Sequence, residues 1–368
     1  MNIKTITCHD VYNYGASLQA YALQEYLTAQ GHNVEIIDYK PDYMRVHYNF
    51  WYVPKNSRYY QRAMNSIFIR FLLCCYFAPH RFATFGRKKK FDTFREKFLK
   101  CTKRYMSYEE LVADAPSADA YVAGSDQIWN SELPNGKDPG YFLQFGDEKT
   151  KRIAYAASFG IPEVSKECRE KMNAWLQKFD AISVREKTAL NILETIGVEG
   201  VNVVDPVYLL TKEQWSNFAG EKRVVMDKYI LVYDLDLDNE KISEEAEKLS
   251  KLHNCKIVAV CGLAKCPYAQ KCITDAGPQE FVNLIKNAEF VLSNSFHATS
   301  FSIILNRPFA TFYKKKNISR MADLLNSTGL ADSLNPSLPK YDFDWAAINE
   351  KLKTMCSDSF EYIKRNIQ

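Results

Sequence analysis

No run of this chain is long and apolar enough to cross a bilayer. The longest, Phe71 to Ala78, falls far short of the roughly 20 residues a spanning helix needs. Neither G-x-G-x-x-G nor G-x-x-x-x-G-K-[S/T] occurs, which removes the dinucleotide fingerprint and the P-loop. No C-x2-C knuckle opens a zinc site. Cys255, Cys261, Cys266 and Cys272 are spaced x5, x4 and x5, and Cys255 and Cys261 flank the apolar stretch KIVAV. Plain buried or surface thiols are therefore expected there, with no metal and no cofactor. No low-complexity tract or long single-sign charge block is present, so a disordered chain is excluded. Met1 to Cys8 lacks the basic and apolar regions of a signal peptide and reads as a strand, so a cytoplasmic protein with reduced thiols is expected.

What is there suffices for two domains. The chain has 368 residues, 46% of them hydrophobic and 14% aromatic, enough for two cores. Its net charge of +4 is unevenly spread: Lys55 to Arg104 holds 14 Lys and Arg against 2 Asp and Glu, which leaves the rest of the chain acidic. One surface is thus suited to an anionic partner, whereas nucleic acid wrapped on the whole molecule is not expected. Within it, Asn65 to Phe77 is apolar and flanked by Arg62, Arg70, Arg81 and Arg87 to Lys90. Such a segment can lie on an anionic membrane surface, here the inner face of the plasma membrane, or form a helical insert packed on a sheet.

Strand and helix patterns alternate twice. Ile3 to Cys8, Ala16 to Ala29 and Val34 to Ile37 form a βαβ unit, and strands at 120–123, 152–158, 181–184 and 201–204 continue it. A second series has strands at 229–233, 256–260, 290–292 and 309–312. The fold class is α/β, with two doubly wound Rossmann-like domains facing a cleft. Residues 1–210 are expected to form the first, with a basic aromatic helical insert at about 45–105. Residues 211–368 are expected to form the second, with the final helix packing back on the first.

The polar clusters fall at strand ends. SNSFHATSF places Asn294, Ser295 and His297 where a helix begins, a setting for anion binding and proton transfer or for simple capping. Arg185, in ISVRE, is either a bidentate oxyanion clamp or the partner of a neighbour such as Glu186. Asn13, Tyr14 and Gly15 form a turn where backbone can approach a ligand. Asp126, Gln127 and Asn130, in GSDQIWN, suit sugar hydroxyls, and Trp129 can stack on a pyranose; a capped turn is the plainer alternative. Lys314, Lys315 and Lys316 follow the strand ending at Tyr313, either within reach of an anion or in a solvated loop.

Taken in order, NYGASLQAYALQEYL, GSDQIWN, AYAASFG, ISVRE, VVDPVYLL and SNSFHATSFSIILNRPF resemble the polysaccharide pyruvyl transferase family, over about residues 3 to 330. The resemblance implies a glycosyltransferase type B-like fold. It also implies transfer of the pyruvyl group of phosphoenolpyruvate to two hydroxyls of a sugar, with release of phosphate, in capsule or exopolysaccharide synthesis. Donor contacts would fall to Arg185, His297 and one of Lys314 to Lys316, with Asn294 and Ser295 beside them. His297 would be the acid or phosphate partner, and Asp126 would hold or deprotonate the acceptor. The acceptor would be a saccharide, and a lipid-linked one would explain the basic insert. The rivals are a nucleotide-sugar glycosyltransferase, for which Glu280 is the available ribose ligand, and a non-catalytic saccharide-binding scaffold.

Overall fold

Two parallel sheets organise the chain, seen in a computed structural model that describes residues 1–44, 59–235, 239–262, 266–313, 318–336 and 340–367. The first has seven strands: β1 (Asn2–Ile6), β2 (Asn33–Tyr39), β3 (Cys101–Tyr105), β4 (Ala120–Ala123), β5 (Lys151–Ala157), β6 (Ala181–Val184) and β7 (Val201–Asn202). Their order is β3-β2-β1-β4-β5-β6-β7. The second has five: β8 (Tyr229–Tyr233), β9 (Lys256–Val260), β10 (Lys271–Ile273), β11 (Phe290–Ser293) and β12 (Phe309–Thr311), in the order β10-β9-β8-β11-β12. Every pairing is parallel. Each order reverses once, between β1 and β4 and between β8 and β11. In doubly wound sheets that reversal opens a crevice at the carboxyl ends of the strands, where ligands bind.

The local causes are plain in the sequence. Strands such as YILVY and KIVAV are near-continuously apolar because helices cover both faces of a parallel sheet. α1 (Tyr14–Ala29) starts where the Asn13 carboxamide accepts from the Ala16 amide and stops before Gly31, whose φ of 88° suits glycine. Its Leu18, Ala22, Leu23 and Leu27 are buried. Each buried leucine contributes roughly 1.5–3 kcal/mol.

The two-sheet architecture is the one expected. Two strands escape the sequence reading. β3 lies inside the range assigned to the insert, yet it pairs with β2 as the edge of the first sheet. β10 lies among the cysteines, its three residues too few to show a period.

The insert contributes α2 (Tyr60–Asn65) and α3 (Ile67–Phe98); its residues 45–58 lie outside those described. The second half of α3 bridges the sheets. Phe91 and Phe94 are buried against Tyr14 and Phe218, and the Lys90 ammonium meets Asp275 at 3.1 Å and Glu280 at 2.9 Å. α12 (Trp345–Ile367) crosses back from the second sheet. Its Tyr362, Ile363 and Ile367 pack with Ile3, Leu23, Val122 and Ile153, and Ser359 Oγ accepts from the Val204 amide at 2.9 Å. Among the described residues no helix is long and apolar enough to cross a membrane.

Candidate active site between the two sheets

The carboxyl ends of the two sheets meet around Asp205. β7 gives way to a short turn at Pro206, and the Asp205 carboxylate caps that turn through Oδ1, which accepts from the Val207 amide at 3.1 Å. Oδ2 accepts from Arg185 Nη1 at 2.7 Å and from Ser125 Oγ at 3.4 Å. It also faces His297 Nε2 at 3.6 Å, beyond hydrogen-bond length. Arg185 follows β6, Ser125 follows β4, and His297 stands in the first turn of α10 (Phe296–Ile304) on the second sheet. One carboxylate therefore gathers three strand-end motifs from both halves of the chain.

The electrostatics follow from burial. The Asp205 side chain is wholly enclosed and that of Arg185 nearly so. Burial alone would raise the Asp205 carboxyl, but His297 and Arg185 outweigh it and hold the group well below the usual carboxylate range. Burial likewise disfavours the Arg185 charge, and Asp205, Glu186 and Asp126 more than restore it. Only one edge of the guanidinium is used. Its Nε is buried without a partner, as is His297 Nε2. Phe296 covers one face, with the guanidinium carbon 5.2 Å from the ring centroid. Arg185 and His297 are thus held in place with donors left over, and a bound oxyanion satisfies such groups.

Glycine decides where His297 can be. A Cβ on Gly15 would fall 2.1 Å from His297 Nδ1, so the imidazole occupies the space a side chain would need. The NYG turn after β1 and the SNSFHA turn after β11 are thereby in contact. Ser295 caps α10, its Oγ accepting from the Ala298 amide. Asn13 caps α1 at the exposed rim.

Asp126 stands at the end of β4 with φ 79°, a left-handed conformation that is uncommon outside glycine. Its carbonyl is held by the Ile128 and Ser158 amides. Its carboxylate, half-buried, makes no hydrogen bond or ion pair among the described residues, yet lies close enough to Arg185 to favour its charge. Gln127, also half-buried, packs on Gly160 and accepts from Asn130.

Four expected ligand residues prove to be internal. Trp129 is fully buried, stacked on Phe142 with its indole N–H donating to the Tyr141 carbonyl, so it offers no face to a sugar. Tyr14 lies beneath the cleft, stacked on Phe281 at 4.3 Å, and its hydroxyl donates to the Ala276 carbonyl. Asn130 is committed to Gln127 and the Glu132 amide. Asn294 ties β11 to β8, donating to Asp234 at 2.6 Å and accepting from the Leu235 amide at 2.8 Å. Lys314, Lys315 and Lys316 lie outside the described residues.

Glu186 does not pair with Arg185. Its Oε1 accepts from Ser158 Oγ and from the Phe159 and Gly160 amides, pinning the SFG loop after β5. The partner of Arg185 is Asp205. The signal for it was an acidic residue before proline at a strand end, which fixes a turn there. Glu280, the ribose ligand of the rival reading, is engaged by Lys90 and by the Gly277 amide. All ten cysteines are free thiols, and among the described residues no group of three or more His, Cys, Asp or Glu side chains is arranged to hold a metal ion.

Comparison with solved structures finds similar chains. The UDP-GlcNAc 2-epimerase of Methanocaldococcus jannaschii is 14% identical, with 97% of this chain and 93% of that one covered and a TM-score of 0.48. The UDP-GlcNAc 2-epimerase of Neisseria meningitidis bound to UDP-GlcNAc is 12% identical, covering 99% and 93%, with a TM-score of 0.46. The heptosyltransferase WaaC of E. coli, with ADP-2-deoxy-2-fluoro heptose, is 12% identical, covering 86% and 91%, with a TM-score of 0.38. No curated protein matches in sequence. The family model described as polysaccharide pyruvyl transferase matches residues 13–314, a span that runs from the α1 cap through Asp126, Arg185, Asp205 and His297. The chain belongs to the polysaccharide pyruvyl transferase family.

Proposed function

We propose that this protein transfers the pyruvyl group of phosphoenolpyruvate onto two hydroxyls of one sugar, forming a ketal and releasing phosphate, in the synthesis of a bacterial surface polysaccharide. The observation that carries the reading is the Arg185–Asp205–His297 cluster. It comprises two buried nitrogens, Arg185 Nε and His297 Nε2, on side chains gathered by one carboxylate, and neither nitrogen makes a hydrogen bond among the described residues. A substrate bearing a carboxylate and a phosphate suits them.

The step balances. A sugar hydroxyl loses its proton to a base and attacks C2, while a proton is added to the methylene carbon to give a methyl group. The second hydroxyl then displaces phosphate from C2, and its proton leaves with the phosphate. His297 supplies the proton or holds the phosphate; Asp126, with an unengaged carboxylate, takes the proton from the acceptor. Ser295 and the α10 amides stand at the phosphate end, and Lys314 or Lys315 completes the donor contacts. The scheme calls on no metal or cofactor.

The acceptor reading extends to a lipid-linked saccharide at the inner membrane face. Supporting it, Ile67, Phe68, Phe71 and Leu72 are exposed at helical spacing on α3 and Met64 is exposed on α2, with Arg62 and Arg70 near them in sequence. Co-sedimentation with anionic vesicles at low salt tests this; protein left in the supernatant removes the membrane from the proposal.

Thermal unfolding with phosphoenolpyruvate tests the donor without knowledge of the acceptor. A ligand at ~100 times its Kd adds ~2.7 kcal/mol, a visible rise in Tm. A rise with phosphoenolpyruvate, absent in His297→Ala and Arg185→Ala, is expected. A rise with nucleotide sugars and none with phosphoenolpyruvate overturns the reading.

A further inference from the structure

Beside the Arg185–Asp205 pair lies a cavity of about 440 Å³, between the carboxyl ends of β6 and β7 and the helices α11 (Ile318–Thr328) and α12. Arg185, Glu186, Tyr208, Phe296 and Arg320 are among its walls. Arg320 is a residue that the motifs gave no reason to single out. It comes from the second half of the chain and faces the same space as Arg185.

Arg320 is half-buried and makes no hydrogen bond or ion pair among the described residues, whereas Arg185 pairs with Asp205 and also donates to Ser125 Oγ at 3.5 Å. Burial first, and then the like charge of Arg185, hold its guanidinium below its ordinary range. It also sits in the first turn of α11, where the helix dipole already places positive charge. The walls contribute further unmet polar atoms: Arg185 Nε and the Tyr208 hydroxyl are buried without partners. α11 presents Arg320 and Asp323 to this cavity along one face, and Glu186 and Asp358 also border it. The like charges of Arg185 and Arg320 still oppose each other there, and an entering oxyanion between them turns that opposition into attraction.

We propose that Arg320 is the second cationic arm of the donor site, closing on the same oxyanionic group of the substrate that Arg185 holds. This deepens the pyruvyl-transfer reading and rests on it for the identity of the donor. In this arrangement Arg185 turns its free Nε edge toward the anion while Nη1 stays on Asp205, and Arg320 meets the anion from α11. The donor is then gripped from both halves of the chain, and the position of α11 becomes part of donor affinity.

The experiment compares the full chain with Arg320→Ala and Arg320→Lys by thermal unfolding, alone and titrated with phosphoenolpyruvate, inorganic phosphate and pyruvate. Arg320→Ala is expected to leave Tm of the free protein unchanged or raise it, because a half-buried charge that faces the like charge of Arg185 has been removed. It should also weaken phosphoenolpyruvate by about tenfold or more, the loss expected of a charged hydrogen bond. Arg320→Lys should recover part of that loss. Sensitivity to Arg320 in the phosphate arm identifies the phosphate end as its partner, and in the pyruvate arm the carboxylate end. An unchanged phosphoenolpyruvate response in Arg320→Ala overturns the proposal, as does a fall in Tm of the free variant with the ligand response intact. If wild type ignores phosphoenolpyruvate but responds to phosphate or pyruvate through Arg320, the donor reading falls and the two-arginine site stands. If wild type responds to none of the three, both fall.

Discussion

The imidazole of His297 rests on the α-carbon of Gly15: the ring occupies the space in which any larger residue would carry its Cβ, 2.1 Å from Nδ1. A contact across 282 positions of sequence sets the placement of the proposed catalytic acid. Backbone does the positioning, so no side-chain partner on α1 is needed.

Gly15→Ala should therefore behave as a displaced-histidine variant. The ring must move by an ångström or more, and displacements of that size can cost about 10²-fold in rate. Pyruvate transfer, read as phosphate release, should fall by about that factor while near-UV circular dichroism stays unchanged. Turnover near wild type would show that the ring position is not critical.

His297→Ala should lose about 10²–10⁴-fold in turnover, the contribution of a positioned proton donor. Adding Gly15→Ala to it should cost little more, because the ring that glycine accommodates is already gone. Additive losses would mean that Gly15 acts on something else.

Asp205→Asn removes the one carboxylate that ion-pairs with Arg185 among the described residues, within an enclosed site. An orphaned buried charge costs about 3–5 kcal/mol, to be read in urea unfolding. The wild-type Asp205 carboxyl titrates below its ordinary value in the folded state. The stability it contributes is present above the unfolded value, near 3.8, and is lost as pH falls below it. Asp205→Asn should weaken that acid limb. A variant as stable as wild type at neutral pH would contradict the pairing.

A second buried pair sets the alkaline limb. His9 and Asp38, 3.2 Å apart at the ends of β1 and β2, are both enclosed. Burial disfavours the imidazolium, but the bond to Asp38 outweighs it and pushes His9 up to about 9 from 6.5. Asp38, raised by burial but lowered more by His9 and Arg104, falls to about 2 from 3.8. His9 thus contributes stability fully below pH 6.5, and this is lost as pH rises through about 9. Asp38 contributes above 3.8, and this is lost as pH falls through about 2. Tm should decline between pH 6.5 and 9 in wild type and stay level there in His9→Gln.

The alternation of apolar runs with helical spacing was enough to read both sheets, because parallel strands buried on both faces are conspicuous. It was also enough to place the polar motifs at strand ends. Which member of a motif faces the cleft was not legible. Trp129 and Gln127 stand two positions apart in one loop, yet one lies in the core and the other is only half-buried. Asn294 is taken by Asp234, a residue that only the β8–β11 pairing brings near. Arg320 looks like any charge on an amphipathic helix, and its place opposite Arg185 emerges only when the fold sets both on the wall of one cavity. Glu186 was the nearer acid to Arg185 in sequence, but strand geometry turns it toward the SFG loop.

The return of α12 to the first sheet has a consequence for synthesis. Ile363 and Ile367 fill the same core as Ile3 and Leu23. A ribosome adds about 5–20 residues per second. The first sheet therefore waits while the whole second sheet is made, its apolar floor uncovered, and only the arrival of Tyr362 and its neighbours completes it. Residues laid down at the start depend on residues translated well after them, so the two halves of this cleft become native together.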